Sequence, residues 1–424
     1  MSIVILVLFP FVVPLAPLSA AVPGPLPAPK AVPNGGQKTP VQTGSPGELG
    51  QPGRRVRTAP SPVDLGRIER INPAGTSYLD PEIHPLRDEM VFQAPDGVWT
   101  GALDPRTGRF VSATGKDRFV DIASSLTLSK NGPEYGIDRD GTSIFYNRTG
   151  FGGVERVWRA VEQGAGYVPG PLTGFDTSRI NQLPSQDEGA TSTFLVYGRD
   201  ALGAAPPTIT WIDEDDPGME NEITPVVPGY AGFRWARGTT WMTSTIASGP
   251  QAGEVVLTEA RTGFQKVVTD DGGIKFDPYP WQAPEFGGSL AFAAIVAGGD
   301  LAIYRDVGNL TFVRHATLSP PPVSSMEYAQ SPEPFVSAGR SFVCLTLKDH
   351  PGSIYTDVTE AQIWIYGIEE GPGRFVLRCD DAATPGIRHE AEAMAGTDEI
   401  FLYYNELLPN GRFDLLRCRT GLPR

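Results

Sequence analysis

Along most of this chain apolar and polar residues alternate with a period of two, in runs the length of a β-strand, and each run stops at Gly, Pro, Asp or Asn. The strongest runs are rich in aromatic and β-branched residues: MVFQA from Met90, SIFYN from Ser143, TFLVYG from Thr193 and IFLYYN from Ile400. Such side chains suit a pleated, half-buried surface. A second alternating run follows each of them, as in VWTGALD from Val98, TITWID from Thr208 and FDLLRCR from Phe413. Stretches such as DPRTGRF and EARTGFQK then predict a hairpin to an outer, more polar strand. Helical periodicity of useful length is missing from the sequence, so the pattern predicts an all-β fold.

The runs are organised by a recurring phrase. WQAPEFGGSLAFAAIV from Trp281 returns about 50 residues later as SPEPFVSAGRSFVCLTL from Ser331, with a Pro-Glu pair, an aromatic residue, a Gly turn and an alternating run in each. Related phrases start at Tyr78, Gly132, Asn181, Gly232 and Arg388. Several short strands per unit at this period read as a β-propeller. Seven blades is the favoured count, with six as the alternative if the third or fourth phrase is irregular insertion. The last unit ends at its third strand, whereas VDLGRIERIN, residues 63–72, alternates without a unit of its own. That N-terminal strand is expected to pair into the last blade and close the ring, leaving no open sheet edge there.

IDRDGTSIFYN, from Ile137, resembles the Asp-Gly-centred repeats of TolB-like and WD-type propellers, which implies the fold over most of residues 63–424. LDPEI at Leu79, QAPEF at Gln282 and SPEPF at Ser331 are similar to the blade starts of glycoside hydrolase family 43. That second resemblance implies glycoside hydrolysis by paired carboxyls, with Asp80 as base, Glu333 where the family has a pKa-tuning aspartate, and Glu390 as acid.

The residues themselves support an acidic site independently. In a propeller the first strand of each blade lines the central channel, and Asp80, Glu82, Glu134, Glu285, Glu333 and Glu390 all lie near that point of their phrases. Convergence there would raise some of their pKa values by mutual repulsion, as paired-carboxylate chemistry requires. Glu82, Glu134, Glu285, His84 and His389 are the expected substrate-binding groups. Hard oxygen ligands of this kind would also suit Ca2+, whereas a zinc site lacks ligands. Against all of these stands an architectural reading, since Pro-Glu repeated in several blades fits strand initiation and bonding between blades. Trp235 and Trp241 with Arg234 and Arg237 are open to two readings, a sugar-stacking surface or packing between blades.

Composition narrows the partners. Residues 1–21 are apolar and end in Ser19, Ala20 and Ala21, as an export signal does, and residues 22–62 are a Pro- and Gly-rich linker too poor in large apolar residues to fold. A secreted or periplasmic protein with one propeller domain at 63–424 follows, without a membrane span after signal removal. The linker and leader carry Lys30, Lys38, Arg54, Arg55 and Arg57 against Glu48; removing that +4 from the total of −14 leaves −18 on residues 63–424. So acidic a domain repels phosphate backbones, which argues against nucleic acid. The expected partner is a glycan, with a protein or cell-envelope partner as the alternative, and the expected state is a monomer. Three cysteines exclude a disulfide scaffold; Cys379 and Cys418 sit in similar contexts, and buried free thiols are favoured over a bridge between them.

Overall fold

A computed structural model describes residues 67–424 except 123–131, 139–140, 150–154, 173–177, 181–184, 187–192, 200–207, 214–219, 223–229 and shorter breaks at 237–238, 247, 260–261, 297, 322–323, 325, 352–353, 355–356, 372–373 and 381–384. The expected leader and linker, residues 1–21 and 22–62, lie outside the described residues, as does most of the acidic run after Trp211. Among the described residues the regular structure is antiparallel β-sheet with a 3-10 turn at Pro284–Phe286. The protein is an all-β propeller.

After β1 (Ile68–Arg70), the first sheet is β2 (Leu79–Ile83), β3 (Glu89–Ala94), β4 (Gly97–Ala102) and β5 (Arg118–Asp121). The second is β6 (Glu134–Asp138), β7 (Gly141–Thr149), β8 (Glu155–Gln163) and β9 (Gly166–Pro171). The third holds β10 (Ser178–Ile180), β11 (Ser185–Gln186), β12 (Thr193–Arg199), β13 (Thr208–Asp213) and β14 (Glu220–Glu222). The fourth holds β15 (Tyr230–Trp235), β16 (Trp241–Ile246), β17 (Val255–Glu259) and β18 (Phe264–Val267). The fifth is β19 (Lys275–Ala283), β20 (Ser289–Val296), β21 (Leu301–Asp306) and β22 (Phe312–Leu318). The remaining strands divide into β23 (Tyr328–Ser337), β24 (Arg340–Lys348), β25 (Ala361–Gly367) and β26 (Val376–Arg378), then β27 (Ile387–Ala395), β28 (Glu399–Leu407) and β29 (Phe413–Pro423). A lone parallel pairing, Ala361 with Ile387, joins these last two groups into one sheet.

The N-terminal strand does pair where its alternation pointed. Ile68, Glu69 and Arg70 lie antiparallel to Cys418, Arg417 and Leu416, so β1 covers the outer side of β29. The first and last sheets share a core in which Tyr78, Met90 and Phe92 meet Met394, Phe401, Tyr403 and Leu415. Asn405 clamps the same seam: its Nδ2 donates to the Tyr78 carbonyl at 2.8 Å and its Oδ1 accepts from the Asp80 amide at 3.0 Å.

Second strands are deeply buried, as their aromatic and β-branched content requires: β3 and β20 place Phe92 and Phe292 at no exposure, and β28 does the same with Leu402, Tyr403 and Tyr404. All three cysteines are buried free thiols, with Cys379 and Cys418 in the same apolar cluster as Cys344.

Candidate functional site: an axial carboxyl cluster

The inner strands share one irregularity. In β2, Leu79 pairs with Gln93 and Glu82 with Val91, so Asp80 and Pro81 together oppose one partner residue. The same extra residue occurs in β15 between Ala231 and Arg234, in β19 between Phe276 and Tyr279, in β23 between Gln330 and Glu333, and in β27 between His389 and Glu392. A β-bulge of this kind bends the strand and re-aims the side chain that follows it. The first bulge residue is left-handed at Asp80 (φ 50°), Asp277 (φ 46°), Ser331 (φ 47°) and Glu390 (φ 54°). Each such residue costs about 1 kcal/mol, least for Asp. The second is Pro81, Pro278, Pro332 or Ala391, all buried; proline suits a bulge because it has no N–H to leave unpaired.

The residues after the bulges form one constellation. Glu82, Arg234, Tyr279, Glu333 and Glu392 sense each other's charge, and Glu134, at the start of β6 behind Gly132 and Pro133, joins them. Asp80 and Glu390, the strained residues of β2 and β27, extend the cluster. Gly132 is required by this approach, because a Cβ there would lie 2.2 Å from the Asp80 Cβ.

Three carboxyl pairs hydrogen bond directly: Asp80 with Glu390, Glu82 with Glu134, and Glu333 with Glu392. Carboxyls this close favour a shared proton, because burial and mutual repulsion oppose ionisation of both members. Burial, followed by the Glu390 charge, holds the Asp80 carboxyl well above the usual range. Burial and the Glu134 charge do the same to Glu82, burial and Glu392 to Glu134, and burial and Glu333 to Glu392. Burial raises Glu333 too, opposed by its bond from Glu392 and by Arg234. The Arg234 guanidinium lies 5.4 Å from the Tyr279 ring centre and faces Glu134, Glu333 and Asp277. Gln93 Nε2 donates to Asp80 Oδ2 at 2.7 Å, and Cys344 Sγ donates to the Ala391 carbonyl at 3.3 Å. Among the described residues no set of three His, Cys, Asp or Glu side chains is disposed to hold a metal ion.

The structure thus brings Asp80, Glu82, Glu134, Glu333 and Glu390 together, whereas Glu285 and His84 hydrogen bond to other groups. Glu285 is exposed in the 3-10 turn beyond β19, where it accepts from the Ser341 amide and, at 2.7 Å, from the Ser341 hydroxyl. It fastens the fifth sheet to the sixth, and Tyr279 occupies the place expected for it. His84 is buried after β2: its Nε2 contacts Thr142 Oγ1 at 3.1 Å, its Nδ1 accepts from the Leu86 amide at 3.0 Å, and its ring meets Tyr135 edge-on at 4.7 Å. Those contacts hold a turn between the first two sheets. His389 is buried beside the cluster, with Nδ1 3.3 Å from Glu390 Oε2.

Asp80 and Glu390, the expected base and acid, lie beside each other, and the Glu390 charge acts on Asp80. Glu392 and Tyr279 are absent from the sequence-based candidates, and Arg234 appears there beside Trp235 and Trp241 with a stacking surface and packing between blades both open. Trp235 is buried and Trp241 packs edge-on against Phe264 at 6.2 Å, so the tryptophans belong to packing.

The fold has known counterparts. An oligogalacturonate lyase from Vibrio parahaemolyticus is similar over 85% of this chain and 96% of its own, with a TM-score of 0.53 and 9% identity. An oligogalacturonate lyase in complex with manganese gives 0.51 at 11% identity, over 87% and 96%. TolB from Acinetobacter baumannii is similar at a TM-score of 0.36 and 18% identity over 66% of this chain, which spans 64% of that protein. No protein-family model and no curated protein matches the sequence. The two lyase likenesses establish the architecture alone.

Proposed function

We propose that this protein is an extracytoplasmic seven-bladed propeller, closed by β1, that binds a glycan at the axial carboxyl cluster. The carrying observation is the shared bulge, which spends backbone strain in several blades to aim Glu82, Arg234, Tyr279, Glu333 and Glu392 at one place. A purely architectural Pro-Glu motif has no need to bury carboxyls against one another, because unpaired buried charge is costly. Glycan hydroxyls supply the donors that these acceptors lack, and Tyr279 offers an aromatic edge for a sugar face. The carbohydrate activity named for the two lyases is in keeping with a sugar ligand on this architecture. No helix among the described residues is long and apolar enough to cross a membrane.

Hydrolysis is the second reading, favoured by buried carboxyls whose neighbours hold them well above the usual carboxylate range, as a general acid requires. Ca2+ is a weaker candidate ligand, because Arg234 stands among the acceptors. The test is a panel of neutral, anionic and cationic oligosaccharides against the full chain, with Glu134→Gln and Glu333→Gln alongside. Binding that both variants weaken supports the site. Equal binding by all three proteins refutes it, and product release by the wild type alone establishes hydrolysis.

A further inference from the structure

We infer that the axial cluster selects a glycan bearing primary ammonium groups, an amino-sugar oligomer, each ammonium taking the place of a proton shared by a carboxyl pair. The inference rests on the glycan reading above and names the class of sugar.

Charge balance gives the first reason. Six carboxyls crowd around one guanidinium among the described residues, that of Arg234, so each of them that ionises adds negative charge that Arg234 alone must balance. Asp277 also faces Arg234 and adds to the deficit of positive charge. Other polar groups from the elements around the cluster include the Gln93 amide of β3, the Asn405 amide of β28, the Tyr279 phenol of β19, the Cys344 thiol of β24 and the His389 ring of β27. A uronate or sulfate would enter this field against repulsion.

The hydrogen bonding of Glu134 points to a donor missing beyond its contact with Glu82. Glu134 is only 6% exposed, its charge couples to Glu392, Arg234 and Glu333 across the cluster, and its Oε2 meets no hydrogen-bond partner. A buried carboxylate oxygen without a donor is costly, and charge-assisted bonds from an ammonium are the strong remedy. An ammonium brings three donors and one positive charge, so exchanging it for a shared proton conserves the charge of the pair while satisfying both of its carboxyls. An N-acetylated sugar has neither the charge nor the extra donors. Entry of the ligand therefore releases protons: the O–H bond of the carboxyl breaks, its proton passes to solvent, and the ammonium bonds to both carboxylates.

The experiment is calorimetric titration of the full chain at about pH 6 with the β-1,4-linked glucosamine hexamer and its fully N-acetylated counterpart. Each is run in two buffers of different ionisation enthalpy, so that protons released are counted directly. The expected result is binding of the glucosamine hexamer tighter by roughly tenfold or more, with about one proton released for each ammonium seated. Glu134→Gln should lower both affinity and proton release, and Glu333→Gln provides the same readout if the first variant folds poorly. Equal or tighter binding of the N-acetylated hexamer, or binding without proton release, overturns the amino-sugar inference and leaves the glycan reading standing. If no member of the neutral, anionic or cationic panel binds either, the glycan reading itself has failed.

Discussion

Replacing Glu134 by Gln should change how stability depends on pH. In the native chain Glu82 and Glu134 share one proton, and the pair lies in a region where burial and the neighbouring carboxylates raise both groups. The sign follows from linkage. A carboxyl raised on folding binds more protons in the native than in the unfolded state, so its contribution is fully present below the ordinary carboxylate range and is lost as pH rises through the folded-state range. Each proton retained only by the folded state gives a slope of about 1.4 kcal/mol per pH unit. Every carboxyl of the cluster raised by burial contributes in the same sense, so the protein should be more stable just above pH ~5 than at pH ~8. The Gln amide at 134 donates to Glu82 without a titratable proton. The variant should therefore lose about 1.4 kcal/mol per pH unit of that slope and be relatively more stable than wild type at alkaline pH. Urea unfolding followed by tryptophan fluorescence at several pH values between ~5 and ~8 measures both slopes. Identical slopes in the two proteins would refute the shared proton at this pair.

Other consequences concern the frame that holds the cluster. Gly132→Ala places a methyl group against Asp80 and should cost about 1–3 kcal/mol, read as a lower urea midpoint with unchanged slope. Lys275 is fully buried, with Nζ 2.6 Å from Glu254 Oε2 and 2.7 Å from Asp271 Oδ1; Lys275→Met strands Glu254 and should cost about 3–5 kcal/mol by the same assay. Deleting the chain through Arg70 uncovers the edge of β29, and the truncated protein should melt lower and self-associate in light scattering. The thiols of Cys344, Cys379 and Cys418 should resist an alkylating reagent until the fold is opened by denaturant.

Much of the fold was legible because its signals are local. The aromatic runs at Met90, Ser143 and Ile400 became second strands buried within their sheets, and the orphan alternation around Ile68 paired with β29. The site was legible only in part, because inner-strand register depends on a bulge that alternation does not reveal. Aligning Glu285 with Glu333 followed the shared Pro-Glu wording, yet the residues in equivalent bulges are Asp277-Pro278-Tyr279 and Ser331-Pro332-Glu333. The useful signal was a residue able to take positive φ, then Pro or Ala, then the residue that reaches the cluster. Read that way, Asp80-Pro81-Glu82 and Glu390-Ala391-Glu392 mark both members of their strands, and Tyr279 and Glu392 enter the site. Nothing local announces Arg234, whose bulge uses Gly232 and Phe233.

The central claim is that bulged inner strands force carboxyls from distant blades into proton-sharing pairs. Carboxyl-carbon NMR of the full chain with labelled Asp and Glu, followed across pH, tests it most directly. Asp80, Glu82, Glu134, Glu333 and Glu392 are expected to titrate above the bulk of the acidic residues, in coupled steps that Glu134→Gln and Glu333→Gln simplify. Titration of every carboxyl within the ordinary range, around pH ~4, would contradict it.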